Sequence, residues 1–150
     1  MLIQKTDGDI SHWGNKLFGE GCHMERLGER TRDIRFYSNK NGDIVCLHSK
    51  WARNYAKWLE EQPWVQSYEA GYPLNADIMG RISRAGIRTD YLQTGWATDF
   101  VIRYADGHKG VRELVQRGQL KKKAHVERLE LSRRYWAATD TEWMVVIVDG

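Results

Sequence analysis

The sequence has few cysteines and no long apolar segment. Only two of its 150 residues are cysteine, Cys22 and Cys46. Because they form neither a CxxC pair nor a metal-ligand spacing, we expect no disulfide framework and a reducing, cytoplasmic compartment. No apolar run approaches the roughly 18 residues that span a membrane, and the N-terminus lacks the apolar region of a signal peptide. The sequence therefore predicts a chain that is neither secreted nor in a membrane.

Familiar catalytic and cofactor motifs are also missing. The five histidines are scattered, with no His-x-x-x-His and no His-Cys spacing, which argues against a zinc site. The chain contains no GxGxxG, no P-loop and no GxSxG. These absences remove nucleotide-binding loops and a serine nucleophile elbow as explanations of function.

Aromatic residues and an uneven charge are what the sequence does offer. Seven Trp and seven Tyr predict additional core and surface aromatics, with stacking on nucleic-acid bases as the alternative. The formal net charge is +3, but residues 112–136 alone hold eight basic and three acidic residues. A basic segment on an otherwise balanced chain is typical of a phosphate-binding face.

The pattern of apolar and turn residues predicts one α/β domain over 32–150, preceded by a glycine-rich arm over 1–31 that wraps it. Apolar runs at 33–37 and 43–47 flank Asn41-Gly42 and predict a hairpin. Ser49 is expected to cap a helix over 50–62 that Pro63 ends. The remaining predictions are strands over 65–70, 96–104, 111–115 and 143–148, irregular chain over 71–95, and a long basic helix over 119–138. This order predicts one mixed sheet flanked by helices.

Asp99 and Glu113 are the candidate chemical groups. Asp99 opens a core strand, Glu113 lies in the next strand, and Asp106-Gly107 between them predicts a turn that places the strands side by side. Two converging carboxylates can hold Mg²⁺ through oxygen ligands, and such an ion activates water for phosphodiester hydrolysis. The alternative is a pair of solvated surface acids.

Several longer motifs occur together in this chain. The longest is the helix-to-strand segment Val126-Glu127-Arg128-Leu129-Glu130-Leu131-Ser132-Arg133-Arg134-Tyr135-Trp136, followed by Glu142-Trp143. Upstream lie Arg35-Phe36-Tyr37-Ser38-Asn39-Lys40-Asn41-Gly42, Gly71-Tyr72-Pro73-Leu74, Ala85-Gly86-Ile87-Arg88 and Thr98-Asp99-Phe100-Val101. Over roughly residues 32–148 the chain thereby resembles TnsA, the endonuclease subunit of a heteromeric bacterial transposase. The resemblance implies the restriction-endonuclease-like fold, a central mixed β-sheet with α-helices on both sides.

The active-site positions of that family carry over one at a time. Its strand aspartate falls on Asp99, and its acidic or amide position on the partner strand falls on Glu113, so the resemblance implies Mg²⁺ ligands there. Two residues further on the family has a lysine, where this chain has Val115. The family's early helical glutamate falls on Ala52. Valine can neither orient the attacking water nor stabilise developing negative charge, a loss on the order of 10²–10³ in rate.

Basic residues downstream are candidates for two roles. Arg117 shares a face with Glu113 if that strand continues, because alternate residues of a strand point to one side. Arg117 or Lys121 could then replace the missing lysine, and the alternative is that each contacts only solvent or phosphate. The candidate DNA-phosphate contacts are Lys121, Lys122, Lys123 and Arg128, with a solvated helix face as the alternative.

Two functional hypotheses follow, of which we favour the second. The first is a Mg²⁺-dependent DNA endonuclease using Asp99 and Glu113. The second is a non-catalytic relative, a pseudoenzyme kept as a DNA-binding, virion or protein-interaction module whose partner is DNA or a host, virion or transposition protein. TnsA continues into a C-terminal domain, whereas this chain stops just after 143–148. We therefore expect a small phage or mobile-element protein in the host cytoplasm or associated with a virion.

Overall fold

The computed structural model describes residues 2–6, 33–87 and 97–148. Its strands are β1 (Leu2–Thr6), β2 (Ile34–Ser38), β3 (Asp43–Leu47), β4 (Val65–Pro73), β5 (Ala97–Tyr104), β6 (Lys109–Gln116) and β7 (Glu142–Val148). Its helices are α1 (Lys50–Glu60), the short α2 (Ala76–Met79) and α3 (Lys123–Ala138), with a 3₁₀ helix at Arg117–Lys121.

Five of these strands form one mixed sheet in the order β1-β7-β6-β5-β4. β1, β7 and β6 are parallel, whereas β5 is antiparallel to both β6 and β4. The sequence did not predict β1, which brings part of the expected arm into the sheet as an edge strand. The loops and short helix expected in the rest of that arm lie outside the described residues.

A helix covers each face of the sheet. On one face Phe100 of β5 lies 5.3 Å, centroid to centroid, from Tyr55 of α1, in an apolar cluster that includes Leu47 of the hairpin. On the other face Val115 of β6 belongs to a cluster with Leu129 of α3. Because side chains alternate along a strand, neighbouring residues of β5 and β6 serve different layers. The predicted mixed α/β arrangement is confirmed.

The predicted hairpin and first helix are present where expected. β2 and β3 pair antiparallel, and Gly42 has φ +66°, which the tight turn requires. Ser49 caps α1 by accepting a hydrogen bond from the Ala52 N–H at 3.2 Å. β4 runs to Pro73, beyond the predicted end at residue 70, so the segment after it is less irregular than predicted.

Glu60, at the end of α1, holds the hairpin turn. Its Oε2 accepts hydrogen bonds from the hydroxyls of Ser38 at 2.5 Å and Tyr68 at 2.6 Å. Its Oε1 accepts from the backbone N–H groups of Asn39 at 3.1 Å and Lys40 at 3.3 Å. All four contacts bind Glu60 to the hairpin or to β4.

Side chains of the turn also reach the outer edge of the sheet. Lys40 Nζ donates to the carbonyl oxygens of Gln62 and Val65, each at 2.7 Å. Asn41 Nδ2 donates to the Tyr68 carbonyl at 2.8 Å, and Asn41 Oδ1 accepts from the Tyr68 N–H at 2.9 Å. The hairpin is thus attached to the edge strand β4 by specific polar contacts.

Two expectations are corrected. The basic helix does not start as an α-helix at residue 119, because a 3₁₀ helix from Arg117 precedes α3, which begins at Lys123. Cys46 is disulfide-bonded, so the expected absence of a disulfide is wrong; the one other cysteine, Cys22, lies outside the described residues. Within the described ranges, no helix is long and apolar enough to cross a membrane.

Candidate functional site

β5 and β6 bring Asp99 and Glu113 together, as the turn between them predicted. Phe100 pairs with Arg112, which puts Asp99 and Glu113 at the next cross-strand position. The Asp99 N–H donates to Glu113 Oε1 at 2.8 Å, and the Leu114 N–H donates to Asp99 Oδ2 at 2.8 Å. Each carboxylate therefore accepts a backbone hydrogen bond from the neighbouring strand.

Glu113 lies beneath α3 and is only 3% exposed. The Ser132 hydroxyl donates a short hydrogen bond to Glu113 Oε2, and Thr98 Oγ1 lies 3.4 Å from the same atom. Two indoles complete the network, because Trp136 Nε1 donates to Thr98 Oγ1 at 2.7 Å and Trp143 Nε1 donates to Ser132 Oγ at 3.0 Å. The carboxylate is thus surrounded by packed aromatic residues and fixed donors.

This environment changes the acidity of Glu113. Burial first, and then the neighbouring charge of Asp99, raise the pKa of Glu113 to about 7. The positive charge of Arg128 and the hydrogen bonds from Asp99 and Ser132 oppose this effect without cancelling it. Near neutral pH, a substantial fraction of Glu113 is therefore a neutral carboxylic acid.

Arg128 supplies a positive charge next to the pair. Its Nη2 lies 3.8 Å from Asp99 Oδ1 and 3.5 Å from the Ala97 carbonyl oxygen, and its side chain is 29% exposed. Burial lowers the pKa of Arg128, but the charges of Asp99 and Glu113 raise it more. The sequence assigned Arg128 to DNA phosphate, whereas the structure turns it towards the carboxylates.

Val115 and Ala52, which stand where TnsA has a lysine and a glutamate, both contact apolar clusters. Val115 is 2% exposed and packs in the cluster of Leu129, Val145 and Ile147. Ala52 packs against the apolar cluster beneath α1, on the opposite face of the sheet from Val115. A charged group at Val115 would therefore require rearrangement of a packed layer, whereas Ala52 is only partly buried.

The candidate replacement cations Arg117 and Lys121 lie at the two ends of the 3₁₀ helix that follows β6. β6 ends at Gln116, so the strand does not continue and the condition that would place Arg117 beside Glu113 is not met. Arg117 begins the 3₁₀ helix and is exposed. Lys121, Lys122 and Lys123 are also exposed, and within the part of the chain that is described none of the three has an ion pair.

The pair as arranged does not fit a Mg²⁺ ion. Both oxygens of Glu113 accept hydrogen bonds, Oδ2 of Asp99 accepts one, and Oδ1 of Asp99 faces the Arg128 guanidinium. Mg²⁺ requires ionised oxygen ligands in an open, nearly octahedral arrangement. Over residues 33–87 and 97–148, no group of three or more His, Cys, Asp and Glu side chains could hold a metal.

Sequence reasoning missed Ser132 and gave Arg128 a different role, a contact with DNA phosphate. Arg128 and Ser132 are four residues apart in α3, and this spacing puts them on one helix face. Both are polar within a helix whose other inward positions include Leu129 and Leu131, which was a usable signal for a buried polar contact. This pattern could not specify which residues of the sheet Arg128 and Ser132 contact.

Comparison with known proteins returned no support for an assignment: no protein-family model matches the chain, and no curated protein matches it. The resemblance to TnsA therefore rests on the motifs themselves.

Proposed function

We propose that this chain is a DNA-binding module that does not cleave DNA, built on a restriction-endonuclease-like fold. The proposal includes a TnsA-like ancestry and an origin in a phage or other mobile element. The observation that carries it is the separation of two charged features. The acidic pair is covered by α3 and hydrogen-bonded, whereas the lysines at the start of α3 are exposed.

The exposed lysines favour a polyanionic partner. Lys121, Lys122 and Lys123 are consecutive, and no acidic residue occurs between Leu114 and Val126. The first turn of α3 has no acidic residue, although helix N-termini normally favour negative charge. Positive side chains at this end of a helix oppose its stability, so a phosphate backbone that neutralises them accounts for their presence.

The acidic pair supports the absence of cleavage. Metal-dependent hydrolysis needs ionised ligands and an open position for the attacking water. Glu113 has a pKa of about 7 and donors on both oxygens, and Val115 takes the position of the family's lysine. The hydrolysis that the resemblance implies therefore lacks both a set of ionised metal ligands and the lysine ammonium group.

The DNA-binding half is tested by measuring duplex affinity over a NaCl series. Replacing Lys121, Lys122 and Lys123 with Gln should weaken binding and reduce the slope of log K against log salt by up to about 3. The charge-matched control replaces three other exposed cations, Lys57, Arg103 and Lys109, with Gln. Equal losses in both triple variants, or no salt-dependent binding by the parent protein, would overturn the proposal.

The endonuclease hypothesis is tested in parallel. We expect no nicking of supercoiled plasmid by the purified chain in Mg²⁺ or Mn²⁺. Nicking that disappears in Asp99→Ala would replace our proposal with an endonuclease in which Arg117 or Lys121 supplies the cation. Nicking that persists in Asp99→Ala would instead identify a contaminating nuclease and leave the expected result in place.

A further inference from the structure

Asn41 is the one asparagine in the chain that a glycine follows. The side-chain amide of an asparagine can be attacked by the backbone nitrogen of the next residue. Glycine hinders this attack least, because it has no Cβ and its backbone reaches conformations that other residues avoid. Gly42 is exposed and has φ +66°. The hairpin turn therefore contains a pair of residues with the chemistry of deamidation.

The folded chain holds both groups of this pair away from the reaction. Asn41 Nδ2 donates to the Tyr68 carbonyl at 2.8 Å, and Asn41 Oδ1 accepts from the Tyr68 N–H at 2.9 Å. The Gly42 N–H donates to the Ser38 carbonyl at 2.9 Å. Attack requires the Gly42 nitrogen to give up its proton and the Asn41 amide to turn towards it. The two hydrogen bonds to Tyr68 and the one to Ser38 must therefore open first.

We infer that Asn41 is a modification site, which deamidates only when the hairpin turn separates from β4, and that the modification prevents the turn from closing again. In the reaction a base in solution removes the Gly42 amide proton, and the nitrogen forms a bond to Asn41 Cγ. The Cγ–Nδ2 bond breaks, and ammonia leaves after taking a proton from solvent. Water then opens the cyclic imide at either carbonyl and gives aspartate or isoaspartate at this position, without oxidation or reduction.

Either product loses a contact that Asn41 makes with β4. A carboxylate has no hydrogen to donate to the Tyr68 carbonyl, and it brings a negative charge against that oxygen. Isoaspartate also lengthens the main chain inside the turn that joins Ser38 to its cross-strand partner Asp43. The change is permanent, since the ammonia is lost. The inference concerns the hairpin alone and does not depend on DNA binding.

The test follows deamidation of the full chain at about pH 8.5 and 37 °C by peptide mass spectrometry. In the folded parent, Asn41 should react at least about tenfold more slowly than in the same chain unfolded in guanidinium chloride, because three hydrogen bonds must open together. Glu60→Gln should raise the folded rate by about fivefold or more, since Glu60 holds Ser38 and the N–H groups of the turn. Its rate in the unfolded chain should equal that of the parent.

Two controls separate this local opening from other effects. Glu61→Gln makes the same charge change at the adjacent exposed position and should react like the parent. Val115→Ala removes apolar volume on the α3 face, so it lowers overall stability without touching the turn. A folded parent that reacts as fast as the unfolded chain would overturn the inference. So would a Glu60→Gln protein that reacts no faster than either control.

Lys40→Met gives the same rate comparison if Glu60→Gln does not fold. It removes only the two contacts of Lys40 Nζ, with the carbonyl oxygens of Gln62 and Val65, and keeps most of the side-chain volume. A folded Lys40→Met protein that reacts as slowly as Glu61→Gln would likewise show that attachment to β4 does not control the reaction.

The consequence of the modification is tested with Asn41→Asp. Its Tm should lie below that of the parent. Gln66→Glu, which adds the same charge at an exposed position of β4, should leave the Tm nearly unchanged. Equal Tm values for the two variants would overturn the inference that the modified turn cannot close on β4.

Discussion

Trp143 of β7 donates its indole N–H to the Ser132 hydroxyl of α3 at 3.0 Å. Because the Ser132 oxygen accepts this bond, its own proton is directed towards Glu113 Oε2. Ser132 of α3 thus binds the Glu113 carboxyl group, and Trp143 of the sheet fixes the orientation of Ser132. Such a network is expected to favour one packing of α3 over the sheet.

Glu113→Gln should remove a pH dependence of stability. From about pH 4.5 to about 7, the folded protein keeps a proton on Glu113 that the unfolded chain has released. The free energy of unfolding of the parent should therefore fall by up to roughly 3 kcal/mol as pH rises through this window. Gln resembles the protonated acid and cannot titrate, so this fall should disappear. Urea unfolding at pH 5, 6, 7 and 8 measures it.

Glu130→Gln is the control for this experiment. Hydrogen bonds from Arg133, above all, lower the pKa of Glu130 to about 2, so its contribution is lost only as pH falls below about 4.5. The control should keep the parent's decline between pH 5 and 8. A parent protein equally stable at both ends of that range would contradict the predicted state of Glu113.

Local elements were predictable because their signals are local. Asn41-Gly42 specifies a positive φ, and Ser49 specifies a helix start, whatever surrounds them. The β5–β6 pair was predictable for the same reason, since the turn at Asp106-Gly107 needs only four residues. β1 was not, because its pairing with β7 joins segments about 140 residues apart and Leu2–Thr6 has no distinctive alternation.

The site was predictable only in part. The predicted strand pairing correctly placed Asp99 next to Glu113. The protonation and the contacts of Glu113, however, depend on which side chains of α3 pack over it. Arg128 is an example. A basic residue in a basic helix predicts a phosphate contact, but the sequence alone does not show that this residue lies on the helix face that meets Asp99 and Glu113. The strand continuation on which the placement of Arg117 depended does not occur, because the chain enters a 3₁₀ helix at Arg117, where the Gln116 N–H donates to Gln119 Oε1 at 2.9 Å.

Glu60→Gln should destabilise the protein by roughly 1–2 kcal/mol. The carboxylate accepts four hydrogen bonds, whereas an amide that keeps its oxygen on the backbone N–H groups of Asn39 and Lys40 turns its NH2 towards the hydroxyls of Ser38 and Tyr68, which then lose an ionised acceptor. Glu61→Gln makes the same charge change at the adjacent exposed position and should stay within about 0.5 kcal/mol of the parent. Chemical denaturation compares the two; equal effects would show that the hairpin is not held by Glu60.

Gly110→Ala should destabilise by roughly 1–3 kcal/mol. A Cβ there would lie 2.8 Å from the Tyr104 ring, which is stacked on Trp64 and His108 and therefore cannot move freely. Gly118→Ala is the matched control, because an added Cβ would meet nothing within 4 Å. Thermal unfolding should separate the variants, and a Gly110→Ala protein as stable as Gly118→Ala would contradict the close packing at Tyr104.

The contacts of Lys40 and Asn41 with β4 affect how separate molecules meet. An edge strand with vacant N–H and C=O groups can recruit a strand from another chain and start aggregation. In this protein the Val65 carbonyl and both backbone groups of Tyr68 are already occupied by turn side chains. In the folded chain the hairpin therefore occupies this stretch of the edge and leaves these three backbone groups no vacancy for a strand from another molecule.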